Sequence, residues 1–304
     1  MNALEIRQLC KTYANGVHAV NRIDLTVKKG DFFALLGVNG AGKSTTIGLI
    51  TTLLTKTSGH IEVNGYDLDK NPALAKASLG LVPQEINLNI FETGMQVLIN
   101  QAGYYGLPRK VAMASAEQLL KELGLWEKRQ SPVRQLSGGM KRRLMIARAL
   151  VHKPSVLILD EPTAGVDVEI RRSIWSFLER TNAEGTTIIL TTHYLEEAEQ
   201  LCKNIAIIDK GNLIEQAPIT EILQNLRHQT FVFNTMQPLD VLPNLEPFNP
   251  VKLDAHTFEL RIDANITLNE VFEKLNQKGV KIISLRNKTN RLEELFMDLI
   301  HHGH

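Results

Sequence analysis

The 304-residue sequence predicts an α/β fold: a mostly parallel β-sheet core, an all-helical insertion, and a small α+β domain toward the C-terminal end. Three observations carry this. Short segments rich in β-branched residues recur, and two of them, "SVLILD" (155–160) and "TTIIL" (186–190), are apolar almost without alternation, as strands covered on both faces are. Between Gln84 and Val156 the strand signal stops and helical patterns replace it. After about Asn225 the texture changes again, to a stretch rich in proline and asparagine flanked by short strands and amphipathic helices.

Taken in order, "LEIRQL", "IDLTV" and "DFFALLG" are candidate strands, the last running into a glycine-rich turn and the helical pattern "STTIGLITTLL". "HIEVNG" and "LGLVPQ" follow as strands. Three helices, "ETGMQVLINQAGYYG", "KVAMASAEQLLKELGLW" and "MKRRLMIARAL", then form the insertion, spanning about 85–155. "SVLILDE", "TTIILTTH" and "NIAIIDKG" restore the strand–helix rhythm of a parallel sheet. We place a first domain at 1–225 and an accessory domain at 226–304. The second contains the strands "TFVFN", "TFELRID" and "KIISLRN", the helices "LNEVFEKLNQKG" and "RLEELFMDLI", and the loop "PLDVLPNLEPFNP".

Bulk composition narrows the function. Hydrophobic residues at 43% and charged residues at 22% describe a folded globular chain. With 34 basic against 33 acidic residues there is no basic excess for a phosphate backbone, so no nucleic-acid partner is expected. Cys10 and Cys202 are too few for a disulfide framework, which fits a reducing cytoplasm. No apolar run approaches the roughly 20 residues a membrane span needs. Work at a membrane would require another protein to hold the chain there.

The chemistry gathers at strand ends. "GVNGAGKST" (37–45) fits the pattern Gly, four residues, Gly, Lys, Ser/Thr, between a candidate strand and a candidate helix. Its residues, Gly37, Val38, Asn39, Gly40, Ala41, Gly42, Lys43, Ser44 and Thr45, offer backbone N–H groups to phosphates, with the helix dipole behind them. Val38 contributes only backbone. Lys43 is placed to reach the β- and γ-phosphates, and the Ser44 hydroxyl to help hold Mg²⁺. Asp160, ending an apolar strand, can hold Mg²⁺ through water, and Glu161 is the candidate to orient or deprotonate an attacking water. His193 ends a second apolar strand and is assigned to the γ-phosphate. Gln84, closing "LGLVPQ", is read either as a contact to Mg²⁺ or the water, or as a turn residue. Tyr13 either stacks on adenine or packs on its own sheet.

A last motif is "LSGGMKRRLMIARAL" (136–150). Ser137, Gly138 and Gly139 leave the start of a helix nearly bare, and Lys141, Arg142 and Arg143 crowd cations where the helix dipole disfavours them. Such a helix start is suited to an approaching anion.

With these residues assembled, about residues 4–220 resemble the ATP-binding subunits of ABC transporters. "GVNGAGKST" is similar to the Walker A motif, "LVPQE" to the Q-loop and "LSGGM" to the signature. "VLILDE" is similar to Walker B, "AGVD" to the D-loop and "TTH" to the H-loop, all in the family's order. Val38 departs from the usual proline, and Met140 from the common glutamine ending the signature. The second departure resembles the ABC-2 branch, which includes drug-resistance exporters, as does the region from about 226 onward. The resemblance implies a P-loop NTPase, RecA-like core with an antiparallel β subdomain, ATP and Mg²⁺ as ligands, and Asp167 at the nucleotide site. It implies a head-to-tail homodimer in which Ser137, Gly138 and Gly139 face ATP held by the other copy's Lys43. It further implies peripheral attachment to the cytoplasmic face of the inner membrane through a separately encoded integral permease, a short helix of which is received at the helical insertion near Gln84. There Tyr104 and Tyr105 are either a docking surface or core aromatics, and Arg142 and Arg143 either solvated or paired with acids of the insertion. An importer ATPase and a soluble ABC ATPase without a permease are the alternatives.

Overall fold

The computed structural model describes residues 1–224, 228–239, 241–242, 245, 248–263, 266–288 and 292–293. The helix expected over 291–300 lies almost wholly outside them. The chain divides into two compact units, Met1–Pro218 and Ile219–His304.

In the first unit, β1 (Asn2–Thr12) and β2 (His18–Lys28) pair with β4 (Ser58–Val63) and β5 (Tyr66–Asp67) in an antiparallel sheet of order β2-β1-β4-β5. β1 and β2 are each eleven residues long, well beyond the short runs "LEIRQL" and "IDLTV". Register shifts interrupt their pairing, and Gln8 and Arg22 take positive φ. Such bulges break the alternation by which a strand is recognised.

The second sheet holds the site. It contains β3 (Phe32–Leu36), β6 (Leu79–Val82), β7 (Val156–Asp160), β8 (Thr187–Thr191), β9 (Asn204–Asp209) and β10 (Asn212–Pro218), in the order β10-β9-β3-β8-β7-β6. All its pairings are parallel except β10 with β9. Every residue of β3, β7 and β8 is buried, which explains their unbroken apolar pattern. β10 is largely exposed and ends in Pro218, so it carries little of that pattern.

Between these strands run α1 (Lys43–Ile50), α2 (Pro72–Ala77), α6 (Val168–Ala183) and α7 (Leu195–Leu201). One apolar core joins the two sheets and α1 through Leu4, Ile6, Phe33, Leu35, Ile47 and Ile158. Each such side chain stabilises the fold by about 1.5–3 kcal/mol on burial. The insertion is α3 (Gly94–Tyr104), α4 (Arg109–Glu122) and α5 (Gly138–Leu150). Its only β-type pairing among the described residues is an isolated bridge between Thr93 and Pro132. Thr93 and Gln96 form a capping box at the start of α3.

The second unit begins with α8 (Ile219–Gln224). β11 (His228–Thr235), β12 (Val251–Lys252), β13 (Thr257–Asp263) and β14 (Ile282–Asn287) form an antiparallel sheet of order β12-β13-β11-β14. α9 (Leu268–Gln277), capped by Thr267 and Glu270, contributes Val271 and Leu275 to a core with Phe233, Phe258 and Leu260.

Candidate active site

β3 delivers the chain to Gly37 at the carboxyl edge of the parallel sheet, where ligands bind in open α/β folds. A Cβ on Gly37 would lie 2.4 Å from the Ile208 carbonyl oxygen, so the loop starts hard against β9. Gly42, the N-cap of α1, has φ +111°, and a Cβ there would lie 2.5 Å from the Ala19 carbonyl oxygen. Only glycine satisfies both conditions. α1 has no side-chain cap and no acid in its first turn, which leaves its leading N–H groups available to an anion. Lys43 folds back over the loop, donating to the carbonyls of Gly37 at 2.7 Å and Val38 at 3.0 Å. Burial lowers its pKa, while the charges of Glu161 and Asp160 oppose that shift.

This loop opens on a cavity of about 370 Å³. Asn39, Gly40, Gly42, Lys43, Ser44 and Thr45 line one side, and Gln84 and Glu161 also reach it. The remaining wall comes from Val17, His18, Ala19 and Lys210, which sequence reasoning did not single out. Lys210 directly follows β9, so the strand-end rule applied to "IIDKG" could have found it. Tyr13 does not line the cavity, but its hydroxyl is 3.3 Å from Thr45 Oγ1, which places it beside the loop.

Strands β7 and β8 bring the other strand-end groups together. Asp160 is opposite Thr191 in register, and Thr191 Oγ1 donates to its Oδ1 at 2.5 Å. Glu161 adopts φ +49°, a strained conformation for a residue with a Cβ, held by its N–H bond to the Thr191 carbonyl at 3.0 Å. Its Oε2 accepts from Gln84 Nε2 at 3.1 Å and lies 3.2 Å from His193 Nδ1. Gln84, Glu161 and His193, drawn from three separate segments, therefore meet at one carboxylate.

Ser137, Gly138, Gly139 and Asp167 do not join them, and none lines the cavity. Ser137 caps α5, accepting from the Met140 N–H at 3.3 Å, and Ser137 and Gly138 are exposed. Asp167 caps α6, accepting from the Ile170 N–H at 2.8 Å. A Cβ on Gly139 would lie 2.3 Å from Ile170 Cδ1, so α5 and α6 begin in close contact.

The arginines of α5 correct the sequence reading. Arg142 is buried and donates to the carbonyls of Pro83 at 3.0 Å and Gln84 at 2.7 Å. Arg143 donates to the Leu123 carbonyl at 2.9 Å. Neither is paired with an acid of the insertion. Both satisfy backbone acceptors where the chain turns, and Arg142 ties the signature helix to Gln84. The two tyrosines differ: Tyr104 is 86% exposed, whereas Tyr105 is half-buried and stacks on His152 with ring centres 3.6 Å apart.

A glycine loop between β3 and α1, with an acid pair at the end of a parallel strand, defines a P-loop nucleoside triphosphatase. A family model described as "ABC transporter" matches residues 20–164. The linearmycin resistance ATP-binding protein LnrL of Bacillus subtilis is 37% identical, over 97% of each chain. The Nod factor export ATP-binding protein I of Cupriavidus pinatubonensis is 40% identical, over 73% of this chain and 68% of its own. A solved dimeric structure of a bacterial ABC transporter cassette superposes with TM-score 0.66 at 25% identity, covering 71% of this chain and 98% of that one. The chain belongs to the ATP-binding subunits of ABC transporters and is an ATPase.

Proposed function

We propose that two copies of this chain close around two ATP molecules and drive export through a separately encoded membrane permease. The observation that carries the two-copy reading is the bare helix start at Ser137 and Gly138, exposed and not among the residues that line the chain's own cavity. A second copy related by a two-fold axis would bring that helix start to the nucleotide on the first, and reciprocally. The dimeric form of a similar cassette supports a two-copy assembly. Export is supported by relatives named for antibiotic resistance and Nod factor export. No described helix is long and apolar enough to cross a membrane, and attachment to the cytoplasmic face of the inner membrane through the permease follows from the proposal.

Within each site, Lys43 and the N–H groups at the start of α1 hold the phosphates. Ser44, Asp160 and Gln84 present oxygen donors, the set suited to Mg²⁺, which would neutralise charge on the β- and γ-phosphates. Glu161 orients the attacking water and accepts its proton as the bond from the γ-phosphorus to the bridging oxygen breaks. His193 steadies the γ-phosphate, and Gln84 reports its presence to the insertion through the backbone that Arg142 grips. ATP bridges the two copies and ADP does not, so turnover opens the dimer, and the difference in affinity drives the permease.

Glu161→Gln keeps the side-chain shape but removes the base. It should bind ATP with unchanged affinity, lose roughly 100-fold or more in turnover, and accumulate as a dimer by light scattering. A variant that stays monomeric in saturating ATP refutes the scheme.

A further inference from the structure

Glu197 lies in α7, four residues beyond His193, and has no exposed surface. A carboxylate is stable in such a place only when neighbours hold it. Its Oε1 accepts from Trp175 Nε1 at 2.7 Å and from Thr163 Oγ1 at 2.9 Å. Burial pushes its pKa up, opposed by the hydrogen bonds from Trp175 and Thr163 and by the charge of Arg171, while its Oε2 is buried with no hydrogen-bond partner among the described residues.

These contacts come from two other segments. Thr163 lies two residues past Glu161, while Glu197 itself stands on α7, which begins two residues after His193. Arg171 and Trp175 stand on α6, the helix that Asp167 caps. The Arg171 guanidinium also lies 4.5 Å from the Tyr194 ring centre, and that ring is 4.0 Å from the ring of His193. One carboxyl group thus ties α7, the helix that follows His193, to the segment after Glu161 and to α6, the helix that Asp167 caps. A leucine would fill this junction without the cost of desolvating a charge. What the carboxylate adds is direction, because each bond it accepts fixes the orientation of its donor.

We propose that Glu197 is a positioning residue of the hydrolytic site, holding the segment after Glu161 and helix α6, which Asp167 caps, against α7, the helix that follows His193, through its bonds from Thr163 and Trp175. The inference rests on the roles given above to Glu161 and His193. It predicts that loss of the carboxylate disturbs turnover and leaves ground-state nucleotide binding intact, since the phosphate loop lies on other elements.

The test uses the full chain, with kcat and KM for ATP hydrolysis, ATP affinity from a fluorescent nucleotide analogue, and thermal midpoints. Glu197→Ala should lower kcat about tenfold or more with affinity within about twofold, because a misplaced base costs rate rather than binding. Glu197→Gln, which retains an acceptor oxygen, should return kcat to within about threefold. Thr163→Val keeps the shape and deletes one bond, and should lower kcat about threefold to tenfold at unchanged affinity. If Glu197→Ala does not fold, the other two variants decide. The proposal is overturned if the Glu197 and Thr163 variants fold and keep full kcat, or if kcat and affinity decline together without rescue by Gln. Glu161→Gln and His193→Ala are assayed alongside. Should those two retain turnover, the hydrolytic reading itself fails; should they lose it while the Glu197 series does not, only the positioning role fails.

Discussion

Lys43 engages two carbonyls of its own loop, and an ammonium has three donors, so one remains for a phosphate oxygen. Burial disfavours its charge, and Asp160 and Glu161 work in the opposite direction. Replacing it with methionine keeps the stem and removes the charge. Charge-assisted hydrogen bonds contribute about 1.5–3 kcal/mol each, so the Kd for ATP should rise roughly 10- to 150-fold in a titration calorimeter. An unchanged Kd would mean that the loop backbone alone holds the phosphates. Glu161 shows the complementary device. Its positive φ costs of order 1 kcal/mol, and that strain aims the carboxylate at Gln84 and His193.

At the scale of elements, His152 joins the end of α5 to β6 and to Tyr105 just past α3. Its Nε2 bonds the Leu79 carbonyl at 2.9 Å, and burial lowers its pKa despite that bond. The folded state therefore favours neutral imidazole. Stability from this group is present above its ordinary pKa of about 6.5 and is lost as pH falls below that toward the depressed folded value. His152→Gln should flatten this slope, shrinking the difference in thermal midpoint between about pH 7.5 and pH 5.5. A difference as large as the parent's would assign the slope to other groups. The phosphate loop and the pair Asp160–Glu161 were legible in the sequence because each is a short local pattern at a strand end. The shared sheet edge of Glu161 and His193 was legible because parallel strands end together, whereas the bond from Gln84 to Glu161 was not. Arg142 and Glu197 were not. Arg142 binds carbonyls 58 and 59 residues away, and main-chain acceptors leave no mark in a sequence. The cavity wall at Val17–Ala19 escaped for a similar reason, since it lies at the turn into β2, where the bulged pairing with β1 carries no periodicity.

Across the whole molecule, the groups assigned to hydrolysis all belong to the unit Met1–Pro218, and the second unit has its own core. Within that first unit, the start of α5 exposes Ser137 and Gly138. Gly138 offers the cleanest way to probe it, because a Cβ there meets nothing within 4 Å and its φ is not positive. Gly138→Asp should leave the fold and the cavity undisturbed, and an acid in the first turn of a helix is favourable. Facing a triphosphate on a second copy, the same carboxylate would repel it. The most direct measurement is the mass in solution, by light scattering with saturating Mg-ATP, of Glu161→Gln alone and combined with Gly138→Asp. A dimer is expected for the first and a monomer with undiminished ATP binding for the second. A dimer in both would contradict the claim that this helix start grips the nucleotide of the opposing copy.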